Sequence, residues 1–270
     1  MEFYYTLSLT DVRKSYWSFM PNVPMLLPAS SWSQVNMQPP KLPSHISRRA
    51  ADCGGFVATF KWGDYRYTPD RYVEWLESWQ PQWAATMDYC CEPEVAAAGS
   101  IVRERQQRTS DMAYKFWKDY RSTAWSWAPT IQGWEVEDYQ RHAKELKPLI
   151  MEMKHQPDFR VGIGTLCRRA SVEMIHRVVR AVADELTGIG LHLWGVKLGA
   201  LQSRNGLPSQ VISVDSGAWN GNIKRDRHKN IAERKAMGMT KAQHAYTVAL
   251  PRYASKVEAA LSTPKQPYLL

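Results

Sequence analysis

No run of 18 or more apolar residues occurs in the chain, so the sequence offers no candidate for a transmembrane helix, which needs about 20. The first residues, Met1-Glu2-Phe3-Tyr4-Tyr5, lack the basic start and apolar middle of a secretory signal. A cytoplasmic location with no membrane partner is therefore expected. Cysteine is scarce: Cys53, Cys90, Cys91 and Cys167 have no Cys-x2-Cys spacing. That spacing marks structural zinc sites, and in a reducing compartment the four are expected to be free thiols. There is no internal repeat and no low-complexity segment, which sets aside repeat architectures. Acidic residues are outnumbered, 26 against 35 lysines and arginines. The resulting charge of +9 and pI near 9.4 favour a polyanionic partner, nucleic acid first and an acidic membrane surface second.

At 270 residues the chain can bury a sizeable core, and 44% hydrophobic with 23% charged residues excludes a mostly disordered protein. Short apolar runs bounded by Pro and Gly read as strands: residues 1–10, Met25-Leu26-Leu27, a run ending at Asp52, Trp83 to Asp88, Pro129 to Gly133, Arg160 to Leu166, Leu191 to Lys197 and Gln210 to Asp215. Helical periodicity alternates with them. Thr68-Pro69 reads as a cap and first helical residue, followed by Tyr72, Trp75, Leu76 and Trp79 on one face. Glu94 to Arg121 reads as one or two helices, and Glu135–Leu149 and Ala170–Leu186 as one each. Strands alternating with helices imply parallel pairing and right-handed crossovers. About seven or eight such units favour an α/β fold of the TIM-type (β/α)8 barrel class, irregular, with a basic helical C-terminal segment. We expect one domain over residues 1–270: N-terminal strands and loop to 44, a motif-bearing core over 45–220, the basic segment over 221–261 and a frayed tail over 262–270.

In such a barrel, residues at the C-terminal strand ends meet at one mouth. Asp52-Cys53-Gly54-Gly55-Phe56 supplies an acid and a close-approach turn there. Met87-Asp88-Tyr89-Cys90, Ile131-Gln132-Gly133, Gly162-Ile163-Gly164-Thr165 and Val214-Asp215-Ser216-Gly217 follow the same pattern. Three carboxylates at one mouth must divide their roles. One acid suits nucleophilic attack at a sugar carbon, a second proton transfer, and a third, with an amide such as Gln132, a planar hydrogen-bonding base.

The ordered set Asp-Cys-Gly-Gly-Phe, Met-Asp-Tyr-Cys, Ile-Gln-Gly, Gly-Ile-Gly-Thr-Leu, Leu-Trp-Gly-Val-Lys and Val-Asp-Ser resembles the tRNA-guanine transglycosylase superfamily over roughly residues 45 to 220. The resemblance implies Asp215 as the nucleophile at C1′ and Asp52 as general acid/base. It further implies Asp88 and Gln132, with Gly133, on the base edge, backbone near Gly164 and Thr165 on its other edge, and Cys90 at the family's cysteine position. Gly54 and Gly55 line the same site. Cys53 stands where the family has serine, and Tyr89 where it has glutamate.

The family's C-terminal zinc cluster is absent after Asp215, and no added RNA-binding domain is expected. Together with Gly-Thr-Leu-Cys-Arg-Arg at 164–169, this brings the chain closest to the short deazapurine DNA modification transglycosylases. The implied activity is exchange of guanine in DNA for a free 7-deazaguanine base such as 7-cyano-7-deazaguanine, with tRNA exchange or a silent nucleic-acid-binding barrel as alternatives. No cofactor or metal is expected, and a homodimer is an expectation from relatives alone. For phosphate contacts the basic segment is the first candidate, with Lys224, Arg225, Arg227, Lys229, Arg234 and Lys235, and then Arg168 and Arg169.

Overall fold

Nine short strands form around the expected apolar runs: β1 (Glu2–Thr6), β2 (Met25–Pro28), β3 (Arg49–Asp52), β4 (Trp83–Ala85), β5 (Ser126–Ala128), β6 (Thr130–Ile131), β7 (Val161–Ile163), β8 (Leu191–Leu193) and β9 (Val211–Ser216). The structure is a computed structural model that describes residues 1–7, 16–33, 45–46, 48–220 and 227–265. Every pairing is parallel, in the order β5-β4-β3-β2-β1-β9-β8-β7-β6. Its two end strands are separated only by Pro129, which has no N–H to give to a ladder. The ladders continue past it: Thr86 N–H donates to Ala128 O at 3.1 Å on one side, and Gly162 N–H to Pro129 O at 2.8 Å on the other. Strands β5 and β6 are thus halves of one interrupted strand, and the sheet closes on itself as the expected TIM-type barrel. The N-terminal strands β1 and β2 are part of that closure, seated between β9 and β3.

The helices follow local signals. Helix α1 (Pro69–Trp79) starts where Thr68 Oγ1 accepts from Arg71 N–H at 3.2 Å, and it buries Tyr72, Trp75, Leu76 and Trp79. Glu94 to Arg121 resolves into a single helix, α2 (Gly99–Tyr120), whose inner face carries Val102, Gln106, Thr109, Ala113 and Phe116. Helix α3 (Val136–Met153) runs through Pro148 and past the expected end at Leu149. Helix α4 (Val172–Glu185) is capped by Ser171, and α5 (Leu198–Gln202) follows β8. The basic segment contributes α6 (Arg227–Ala236), and α7 (Leu250–Ser262) lays Tyr253 against Phe3 and Tyr5 of β1.

Alternation along the strands sends Tyr4, Leu26, Ala50, Trp83 and Ala128 into the barrel, where Trp194 packs on them. Beneath this layer, at the N-terminal strand ends, the buried Arg160 meets Asp158 at 2.9 Å, Glu2 at 3.4 Å and Ser213 Oγ at 2.8 Å, and lies over the Trp83 ring. Arg48 joins Glu2 at 2.7 Å. These ion pairs set register more than they add stability, because desolvation offsets most of their attraction. They close the bottom of the barrel and leave its C-terminal end open.

Trp83 is fully buried and touches Tyr4, His192 and Trp194. Trp83→Ala is expected to lower stability by about 3–5 kcal/mol, read as a lowered urea midpoint; an unchanged midpoint would contradict this packing.

Candidate active site

The open end holds a cavity of about 330 Å³. Asp52, Gly54 and Gly55 after β3, Asp88 and Cys90 after β4, Gln132 after β6, Gly164 and Thr165 after β7, and Asp215 on β9 all line it. Residues distant in sequence are therefore brought to one wall, as a parallel barrel requires. Gly133 faces away, where a side chain would collide with Asp138 and Tyr139 of α3. Thr6, Glu92, Cys167, Trp194 and Gly195 also line the cavity; Trp194 and Gly195 belong to the Leu-Trp-Gly-Val-Lys motif and Cys167 to the stretch 164–169, none of them assigned a role there, while Thr6 and Glu92 stood in no motif. Trp194 forms the floor, its Nε1–H donating to Thr130 Oγ1 at 3.2 Å.

Asp88 sits at the centre of a hydrogen-bonded chain. Its Oδ2 accepts from Gln132 Nε2 at 2.6 Å, and its Oδ1 from the Cys53 thiol at 3.1 Å. Thr165 Oγ1 donates to Gln132 Oε1 at 2.6 Å and accepts from Cys91 N–H at 2.9 Å. Thr165 is held at φ 53°, a left-handed conformation that costs a non-glycine residue on the order of 1–3 kcal/mol and clusters at functional positions. Glycines allow the close approach: a side chain at Gly55 would collide with Asp88 Oδ1, and one at Gly164 with the Gln132 amide. Behind Gln132, its N–H donates to His142 Nδ1 at 2.9 Å, and Gln106 Nε2 donates to its carbonyl at 2.6 Å. Burial pulls His142 down to about 4, so the ring is neutral and keeps Nδ1 as an acceptor. The result is an amide and a carboxyl hydrogen-bonded to each other and held from behind.

Asp215 is oriented differently. Its Oδ2 accepts from Thr6 Oγ1 at 2.8 Å and its Oδ1 from Gly195 N–H at 2.7 Å. His192, neutral because burial lowers its pKa, places Nε2 3.4 Å from Oδ1. Gly195 adopts φ 66° to aim that N–H. Asp52 has one fixed donor, Gly54 N–H at 3.0 Å. Burial, reinforced by the charges of Asp88 and Asp215, pushes it up to about 7, while Asp88, also raised by burial, reaches about 6. Asp215 is thus held by two donors, while Asp52 is raised to about 7 by burial and its acidic neighbours.

The sequence matches a known family. The chain fits the family DpdA, described as DeoxyPurine in DNA protein A, over residues 9–248. It belongs to the DpdA family. Membership makes it a transglycosylase-like enzyme of DNA modification. No curated protein matches the chain in a direct comparison.

In this DpdA barrel the candidate basic residues separate. Arg168 is 45% exposed, lies over the Phe60 ring at 5.0 Å and the Phe56 ring at 5.7 Å, and approaches Glu94 at 3.7 Å. Arg169 departs from the expectation of a phosphate contact. It is buried, stacked on Trp134 at 4.3 Å, and donates to the Trp134 carbonyl. Its guanidinium is committed to α3 and its preceding turn. Lys229, Arg234 and Lys235 lie on α6, the two lysines exposed, and no acid among the described residues pairs with any of the three. Arg227 opens α6, while Lys224 and Arg225 lie outside the described residues. Among the described residues no three His, Cys, Asp or Glu side chains gather to hold a metal, and no helix is long and apolar enough to cross a membrane.

A carboxyl raised to about 7 stabilises the fold while protonated: the contribution is complete below the ordinary carboxylate range and is lost as pH rises through about 7. Asp52→Asn is therefore expected to leave stability at pH 4 nearly unchanged and to raise it at pH 8 by about 1–2 kcal/mol, discounted because the carboxyl edge meets solvent in the cavity. Denaturant unfolding at both pH values measures the difference, and equal effects would contradict the assignment.

Proposed function

We propose that the enzyme exchanges guanine in DNA for a 7-deazaguanine base through a covalent link between Asp215 and the sugar. The observation that carries this reading is the division of labour in one cavity. An oriented carboxylate, a carboxyl poised near neutral pH, and a hydrogen-bonded carboxyl and amide pair surround a space of about 330 Å³, enough for one extruded nucleotide.

In the first half-reaction an Asp215 oxygen attacks C1′ as the bond to guanine N9 breaks, and protonated Asp52 supplies a proton to the leaving base. In the second, ionised Asp52 takes the N9 proton of the incoming 7-deazaguanine. Its N9 then displaces Asp215 from C1′ and regenerates the carboxylate. Thr6 and Gly195 hold Asp215 in place for attack, so little orienting entropy is lost in the transition state. Asp88, Gln132 and the backbone beside Gly164 and Thr165 face the base edges, their polar groups already set by the Gln106 and His142 contacts. Arg168 and the lysines of α6, continued by Lys224 and Arg225, supply positive charge for the DNA backbone.

The reading is tested by offering radiolabelled guanine with duplex DNA, single-stranded DNA or tRNA. Label entering DNA supports it; label entering tRNA alone keeps the chemistry and overturns the substrate; label in neither overturns the reaction. Because one carboxyl serves as acid and then as base, the half-reactions should respond oppositely to pH. Guanine release should fall above about 7 and base insertion below about 7. Single-turnover rates of each step from pH 5.5 to 8.5 measure this, and parallel profiles would remove Asp52 from the role.

A further inference from the structure

Glu92 is the one cavity-lining carboxyl that the proposed exchange leaves without a task. It follows Asp88 by four positions on the loop after β4, and its side chain is 1% exposed. The carboxyl meets the Cys167 thiol at 3.7 Å from Oε1, the Cys90 thiol and its own backbone N–H, while its Oε2 has no hydrogen-bond partner. Among the described residues no lysine or arginine pairs with it. Its own carbonyl is fixed by Val95 and Ala96 N–H at 2.9 Å, so the residue is anchored, not loose. Leaving a buried polar oxygen unsatisfied costs on the order of 1–3 kcal/mol, and such an atom in a ligand cavity points to a group the ligand brings.

The position says which part of the ligand. The loops after β4 and β7 run side by side, tied by Cys91 N–H to Thr165 Oγ1 at 2.9 Å and, further out, by Cys167 to Glu92. Thr165 is linked through Gln132 to Asp88, and Glu92 and Cys167 come one and two positions after Cys91 and Thr165 along their loops. We propose that Glu92 is a specificity-determining residue whose free Oε2 holds the substituent that distinguishes the incoming 7-deazaguanine from guanine. The inference rests on the base-exchange reading above. Burial raises the Glu92 pKa, and no lysine or arginine pairs with it among the described residues, both of which favour its neutral form over the carboxylate. Its partner is then an uncharged acceptor such as a nitrile, and not a cationic aminomethyl group.

The test compares wild type, Glu92→Gln and Glu92→Leu in competition between guanine and 7-cyano-7-deazaguanine for insertion into DNA, with 7-aminomethyl-7-deazaguanine as a third base. Glutamine keeps a donor and should hold the wild-type preference for the nitrile within about threefold, whereas leucine should lower that preference by about tenfold or more, the effect of one lost hydrogen bond in a buried site. A purely structural role would slow all bases together and leave the ratio untouched, which would overturn the inference. Preference of the wild type for the aminomethyl base, lost in Glu92→Gln, would also overturn it by making Glu92 an ionised partner for a cation. Binding of each free base, followed by calorimetry with the same three proteins, decides for Glu92 even where no exchange occurs. Absence of exchange in the wild type with a retained binding ratio would count against the exchange reading alone.

Discussion

Four carboxyls, Asp52, Asp88, Glu92 and Asp215, share one cavity with no lysine or arginine paired to any of them among the described residues, and the structure around the mouth is shaped by that constraint. A buried acid without a cation must be satisfied by neutral donors or held protonated. Asp88 is met by an amide and a thiol, Asp215 by a hydroxyl and a backbone N–H, and Asp52 by a single N–H and its own raised pKa. The differences among these three solutions separate the residues chemically. They also explain why glycines cluster here: Gly54 and Gly195 supply N–H groups from positive φ, and Gly55 and Gly164 leave room for the carboxyl and amide.

The barrel makes such a meeting unavoidable. Parallel strands deliver all their C-terminal ends to one side, and closure through the Pro129 interruption brings the loop after β6 beside those after β4 and β7. At the opposite end Arg160, Asp158, Glu2 and Arg48 fill the bottom with ion pairs. The acids of the mouth remain uncompensated while the acids of the base are paired. One end of the molecule is organised for registry and the other for chemistry.

Much of this was legible because it is local. Apolar runs announced the strands, Thr68-Pro69 announced α1, and the alternation of the two announced the barrel. Strand β5 was missed because Ser126-Trp127-Ala128 is too short to show alternation and is cut by Pro129. The acids and Gln132 were legible as polar residues at strand ends. Their supports were not: Thr6 meets Asp215 across 209 positions, and His142 and Gln106 reach Gln132 from helix faces that read as ordinary amphipathic surfaces. Arg169 looked like a surface arginine beside Arg168, yet the turn after β7 directs it inward onto Trp134. Neighbouring arginines of identical type thus have opposite fates, which only the path of the backbone decides.

The central claim is that Asp215 carries the sugar. Its most direct test is to incubate the protein with a guanine-containing DNA oligonucleotide, quench in acid, and map the modified peptide by mass spectrometry. The account predicts an oligonucleotide-sized adduct, lacking one guanine, on the peptide that contains Asp215. An adduct on Asp52 or Asp88, or guanine release with no adduct at all, would contradict it.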